Sequence, residues 1–350
     1  MKLPVALTSA RCLTLRAPGR LHCGFLDPSG TLGRRFGSIG LMIEGFETVL
    51  SLRASSADAV IAATSGTRAE VERASAHLHV LRERTGCRQP LQLSLLEVLP
   101  PHTGLGSGTQ LALAIGRAFA RWHGLDLSTH TLAQWLNRGL RSGVGIAGFD
   151  QGGLLVDGGP CNDAAPAALL SRVELPAAWH IIVVTDERHR GLSGEAEKRA
   201  IATLTELPQA HAAEICHQTL MRVLPGAASD DFASFALGLN HIQRLLGAHF
   251  APAQGGSAYT SPAVGRLLRW LGDKCGGDAG AALGQSSWGP TGYAILPSAD
   301  RAQLLKQAAL AAGVIEPGLK MHCVRARNRG ATIDDERGDD GPRAAPPPTT

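Results

Sequence analysis

The sequence predicts an α+β chain built as two subdomains. Three observations lead there. An apolar run from Leu91 to Leu99 feeds a glycine-rich turn that opens a helix. Paired strand-like runs precede it, and four helical patterns follow between further strand-like runs. At 350 residues, with 44% hydrophobic and 18% charged residues, the chain can bury a substantial core.

Taken in order, residues 11–16 read as a strand stopped by Ala17-Pro18-Gly19. Arg20 begins a second glycine-containing segment that ends in a turn at Asp27-Pro28-Ser29-Gly30. Arg34 and Arg35 form a basic pair between Gly33 and Gly37, in what composition alone reads as an exposed turn. Ser38 to Glu44 and Thr48 to Ser55 read as two paired strands. Residues 69–85 place Val71, Ala74, Leu78 and Leu81 on one face of an amphipathic helix. After the central turn, Leu111, Leu113, Ala114, Ala118 and Phe119 recur at helical spacing as far as His123. A further helix is expected from about Ser128 to Arg141. The stretch from Ser142 to Gly159 sets many glycines around Asp150 and Asp157, which implies either a closely packed backbone or two turns flanking a strand at Leu154–Val156.

A proline- and alanine-rich linker over residues 160–168 divides the chain into 1–165 and 166–330. The second half opens with a strand at Trp179–Thr185, followed by helices over about 193–206, 209–224, 230–248 and 262–274. Gln254-Gly255-Gly256-Ser257 reads as a flexible loop or a wall of a substrate pocket. Gly284 to Thr291 is a glycine-rich connection between strand-like runs and carries Ser286, Ser287 and Thr291. A helix (299–312) and a strand (320–326) follow. The tail (331–350), charged from about Asp334 and then proline-rich, is expected to be disordered.

The central turn has the chemistry of an anion site. Gly104, Leu105, Gly106, Ser107, Gly108 and Thr109 lie at the start of a helix, where glycines let N–H groups approach phosphate oxygens and the helix adds its positive end. Ser107 and Thr109 add hydroxyls that can cap it. On composition alone the same residues also make a tight turn with a helix cap. Aromatic residues at 4% and a mild, dispersed charge of +4 argue against nucleic acid as a partner. Seven scattered cysteines without a C-x-x-C argue against a disulfide framework or a structural zinc site. With no signal-peptide core and no span for a membrane, a cytoplasmic protein is expected.

These residues carry a resemblance. Pro101-His-Thr-Gly-Leu-Gly-Ser-Gly-Thr resembles the second motif of the GHMP superfamily of small-molecule kinases, with Gly108 where those kinases usually have a second serine. Ala17-Pro-Gly-Arg-Leu resembles the first motif, with His22 in place of an asparagine-containing run. Gly284-Gln-Ser-Ser-Trp-Gly-Pro-Thr departs from the kinases' third motif. Together with Gly-Arg-Arg-Phe-Gly-Ser-Ile-Gly and the Ser142–Gly159 stretch, these motifs resemble the β-ribofuranosylaminobenzene 5′-phosphate synthases of tetrahydromethanopterin biosynthesis.

The resemblance implies a domain like ribosomal protein S5 domain 2 followed by a ferredoxin-like domain. It also implies a decarboxylating C-riboside synthase using phosphoribosyl pyrophosphate, 4-aminobenzoate or 4-hydroxybenzoate, and Mg²⁺. Under it, the Gly104–Thr109 loop with Arg20, Arg34 and Arg35 binds phosphate. Asp150 stabilises the cationic ribosyl carbon, and His22 lies in the pocket. Ser286, Ser287, Thr291, Gln254 and Gly255 meet substrate, and the metal ligands are not assigned. Small molecules are the expected partners, with a homodimer left open. An ATP-dependent kinase of the same superfamily and a non-catalytic phosphoribosyl-binding homologue are the alternatives.

Overall fold

A computed structural model describes residues 11–161, 166–191, 199–200 and 202–336. Eleven strands and nine α-helices are assigned among them, arranged around two sheets.

The first sheet has seven strands. Its spine is β1 (Cys12–Asp27) paired antiparallel with β2 (Phe36–Ala54). The far half of β2 pairs with β4 (Leu91–Glu97), which holds β3 (Ala59–Ala62) in parallel on its other side. The near half pairs with β5 (Leu154–Asp157), and β5 with β6 (Leu169–Val173). Strand β1 does not stop at Ala17-Pro18-Gly19. It runs through with a register shift between Pro18 and Arg20, and bulges are where a strand tolerates proline. The shift also changes which face is buried. Leu13 and Leu15 pack under the helices of this half, while Leu21 and Cys23 join a core shared with the second sheet. The two runs expected to pair with each other are one strand, β2, passing through Gly45 at φ 75°, and both halves pair with β1.

Helices α1 (Val71–Thr85), α2 (Ser107–His123) and α3 (Thr129–Trp135) cover one face. Helix α3 is half the expected length. Asn137 and Gly139 take φ of 54° and 83°, conformations these residue types tolerate better than most, and the chain turns back toward α2. The glycine stretch after it is a helix, α4 (Val144–Gln151), and not a pair of turns. The Asp157 carboxylate caps it, accepting from the N–H groups of Gly143 at 2.8 Å and Val144 at 3.2 Å. Its glycines permit close packing, since a methyl group at Gly148 would stand 2.3 Å from Met42 Sδ.

The second sheet is antiparallel, in the order β10 (Leu319–Arg325), β7 (His180–Asp186), β9 (Gly292–Leu296), β8 (Ala282–Gln285). With helices between β7 and β8 and between β9 and β10, this is the βαββαβ arrangement of a ferredoxin-like domain. The helix expected over 193–206 falls largely outside the described residues, as does the middle of the 160–168 linker. The run read as one helix over 209–224 is α5 (Gln209–Gln218), a π turn (Thr219–Val223) and α6 (Leu224–Ala228). Helices α7 (Phe232–Phe250), α8 (Pro262–Lys274) and α9 (Ala299–Ala311) complete the layer. Part of the tail expected to be disordered is ordered, and residues 337–350 lie outside the described residues. Thr332–Glu336 forms β11, the edge strand beside β1, fastened where Asp335 meets Arg11 at 2.8 Å.

Candidate active site

The glycine-rich loop meets the second sheet backbone to backbone. Gly104 and Gly106 take φ of 89° and 83°. A methyl group at Gly104 would stand 2.2 Å from the Ser286 carbonyl oxygen, and one at Gly289 would stand 2.0 Å from that of Thr103. Leu105 is fully buried and anchors the loop, its carbonyl accepting from Arg20 N–H at 3.0 Å. Gly106 itself is the N-cap of α2, and neither Ser107 nor Thr109 caps the helix with its hydroxyl. The first-turn N–H groups of α2 therefore stand at the positive end of a 17-residue helix.

Cations surround that helix start. The Arg20 guanidinium donates to the Gly104 carbonyl at 3.1 Å and lies against Gly106. A methyl group at Gly108 would stand 3.4 Å from Arg138 Nη1 and 4.0 Å from Arg73 Nη1. Glu70 answers this charge from 3.0 Å off Arg73. Burial and the Arg73 charge lower the Arg138 pKa, and His77 beside both is driven down to about 4 by burial, Arg138 and Arg73. Arg138 escapes a reading of the sequence because the early end of α3 is what turns it toward the loop, and Arg73 because only the packing of α1 beside α2 brings it there.

Beside the loop, a cavity of about 370 Å³, including its open mouth, lies between β1, α7 and the β8–β9 connection. Ser286 joins it to the loop. It is fully buried, and its Oγ accepts from His22 N–H at 2.9 Å and donates to the Gly104 carbonyl at 2.7 Å. His22 is 2% exposed, and burial with the nearby charges of Arg20 and Arg141 puts its pKa well below 6.5, so its imidazole is neutral. Phe25, Phe250 and Trp288 form aromatic walls.

Of the residues singled out in the sequence, His22, Ser287 and Gln254 line this cavity. Ser287, at φ 55°, donates its N–H to the His22 carbonyl at 3.1 Å. Gln254 Oε1 accepts from Gln285 at 2.8 Å and Thr260 at 2.7 Å, and Gly255 ends the same 3₁₀ turn at φ 69°. Thr291 is fully buried, with its carbonyl accepting from Ser286 N–H, and does not line the cavity. Arg34 and Arg35 are exposed in the β1–β2 turn. Arg35 lies 5.0 Å over Phe36, whose ring is 5.6 Å from Phe25. Asp150 is not brought to the loop. It sits at the far end of α4, bonded to Thr129 Oγ1 at 2.6 Å and 3.9 Å from Arg117, which lies about 15 Å beyond Ser107 along α2. Its glycine-rich neighbourhood, which made it a candidate, serves helix packing.

Fold and site together define a GHMP-type protein. Family models for the GHMP kinases N terminal domain and the GHMP kinases C terminal match residues 71–156 and 223–315. The chain superposes on homoserine kinase from Cytophaga hutchinsonii with a TM-score of 0.65 at 16% identity, over 95% of this chain and all of that one. It fits mevalonate diphosphate decarboxylase from Staphylococcus aureus with the same score and identity, over 94% and 100%. Such low identities speak for fold alone. In sequence the chain is 31% identical to β-ribofuranosylphenol 5′-phosphate synthase of Archaeoglobus fulgidus over 337 residues, 92% of this chain and 99% of that protein. It is 29% identical to the protein of that name from Methanothermobacter thermautotrophicus, over 91% and 98%. The chain belongs to this synthase family within the GHMP superfamily.

Proposed function

We propose that the chain condenses phosphoribosyl pyrophosphate with 4-hydroxybenzoate or 4-aminobenzoate, releasing CO₂ and pyrophosphate, to give a β-ribofuranosyl-arene 5′-phosphate for tetrahydromethanopterin biosynthesis in the cytoplasm. The observation that carries this reading is the Ser286 bridge, which sets a cationic helix start and an aromatic-walled cavity side by side. One suits a pyrophosphate and the other an aromatic ring. The phenol in the relatives' name is what 4-hydroxybenzoate leaves once a ribosyl group has replaced its carboxylate, so the hydroxy acid is the favoured acceptor.

The pyrophosphate lies on the α2 N–H groups, with Arg20, Arg73 and Arg138 taking up charge as it departs. On this reading Arg34 and Arg35, exposed in the β1–β2 turn, take the 5′-phosphate. As the C1′–O bond breaks, the ring carbon bearing the carboxylate attacks C1′, and loss of CO₂ restores aromaticity. No covalent link to the protein is required. Among the described residues no group of three or more His, Cys, Asp or Glu could hold a metal ion. Mg²⁺ fits such a site as a complex with the substrate, because it keeps several waters and is held largely by phosphate oxygens. The Ser107 and Thr109 hydroxyls, in the first turn of α2, would be the protein oxygens that help hold it. When bound, it supplies charge neutralisation on the leaving group.

The test is to incubate the protein with Mg²⁺, phosphoribosyl pyrophosphate and carboxyl-labelled acid, and to follow CO₂ and pyrophosphate together. Equal release of both is expected. Pyrophosphate without CO₂, or neither product while ATP binds tightly, overturns the proposal.

A further inference from the structure

Two buried polar atoms of the cavity, His22 Nε2 and Trp288 Nε1, have no hydrogen-bond partner among the described residues. Both side chains line it and are 2% and 3% exposed. Trp288 Nε1–H can only donate. His22 can accept, because burial keeps its ring neutral and a neutral imidazole carries a lone pair on one ring nitrogen. Buried polar atoms without partners are rare and destabilising. An unmet donor and an unmet acceptor in one cavity therefore mark a ligand that carries both complements.

What lies between them is aromatic. The Phe25 ring is 4.6 Å from that of His22, and Phe250 is 6.5 Å from Phe25 and 4.7 Å from Trp288. Ring-to-ring spacings of this size suit a further aromatic ring packed against them. The cavity's glutamines are already engaged with one another and with the backbone. Gln243 donates to the Cys23 carbonyl at 2.6 Å and accepts from Gln285 N–H at 2.9 Å, and Gln254 accepts from Gln285 and Thr260.

We propose that this cavity is the aromatic-acid subsite, in which a para-hydroxyl donates to His22 Nε2 and the carboxylate accepts from Trp288 Nε1. The assignment rests on the synthase reading above. In the reaction, the new bond joins the carboxylate-bearing ring carbon to C1′ as the C1′–O bond to pyrophosphate breaks. The hydroxyl proton passes to His22 Nε2, giving a dienone. The bond to the carboxylate then breaks, CO₂ leaves, its electron pair returns to the ring, and the resulting phenolate retakes the proton. His22 thereby acts on the end of the ring opposite the bond being made.

Calorimetry with 4-hydroxybenzoate and benzoate as probes tests this, beside the product assay. Wild-type protein should bind the hydroxy acid at least tenfold more tightly than benzoate. His22→Phe, which keeps a ring and removes the acceptor, should bind both alike, with KM for phosphoribosyl pyrophosphate within twofold. Trp288→Phe should weaken both acids about tenfold while keeping the preference between them. Equal wild-type affinity for the two acids, or a variant that keeps full affinity and preference, overturns the assignment. Should His22→Phe fail to fold, Trp288→Phe decides alone. Wild-type protein that shows the binding pattern but releases neither product refutes the synthase reading and leaves the subsite standing.

Discussion

Replacing Ser286 by alanine isolates the contact on which the site depends. The side chain is fully buried, so nothing is lost to solvent screening. Its Oγ holds two hydrogen bonds, to His22 N–H at 2.9 Å and to the Gly104 carbonyl at 2.7 Å. Two neutral hydrogen bonds contribute about 2 kcal/mol together, and a stranded His22 N–H raises the loss to about 3 kcal/mol. The Gly104 carbonyl keeps its bond from Arg20 on β1, so the loop stays formed but loses its side-chain tie to the β8–β9 connection. Urea unfolding should show a lower midpoint at unchanged slope, which marks a change in stability alone. Because about 1.4 kcal/mol is tenfold in rate, kcat/KM should fall between tenfold and a hundredfold as the loop and cavity lose register. If the variant unfolds within about 0.5 kcal/mol of wild type and turns over normally, the bridge does not join the two halves of the site.

Four further outcomes are expected. Gly104→Ala, forced into φ 89° with its methyl 2.2 Å from the Ser286 carbonyl oxygen, should lose more than a hundredfold in kcat/KM, and activity within fivefold of wild type would contradict that packing. Arg138→Gln should raise KM for phosphoribosyl pyrophosphate about tenfold and leave KM for the aromatic acid unchanged in initial-rate assays. Asp150→Ala should change kcat/KM less than twofold, because the carboxylate serves Thr129 and Arg117, and a tenfold loss would return it to the site. His77 gives a pH dependence. Its folded pKa of about 4 lies below the unfolded value near 6.5, so the unfolded chain takes up the proton first as pH falls. Stability should therefore drop between pH 6.5 and 4, by up to about 1.4 kcal/mol per unit from this residue. Urea midpoints of His77→Gln at pH 7 and pH 5 should differ by less than those of wild type.

Local features of the fold were legible in the sequence because their causes are local. Glycines before an apolar period of 3.6 announced the loop and α2, and the alternation of strand and helix patterns announced an α+β chain. Helix α4 was not legible. Val-Gly-Ile-Ala-Gly has poor helix propensity, and what holds it in place is a cap from Asp157, thirteen residues or more away, and close contact with Met42 across the sheet. The passage of β1 through Pro18 and Gly19 likewise needs its partner strand, since only the pairing with β2 shows that a bulge rather than an end lies there.

The same division separates the parts of the site. The motifs located the loop, His22 and Ser286, each on a short stretch with its own signature. They could not locate Arg138, because an uninterrupted α3 would have carried it along its axis instead of back to Gly108. Nor could they show the cavity, whose walls Phe25, Phe250 and Trp288 stand more than 200 residues apart at the ends of the series. His22 marks the boundary between the two kinds of knowledge. Its departure from the kinase motif singled it out, yet an identical histidine with a partner for Nε2 would be a structural residue. Burial without that partner makes it a candidate for chemistry, and burial is a property of the assembled chain.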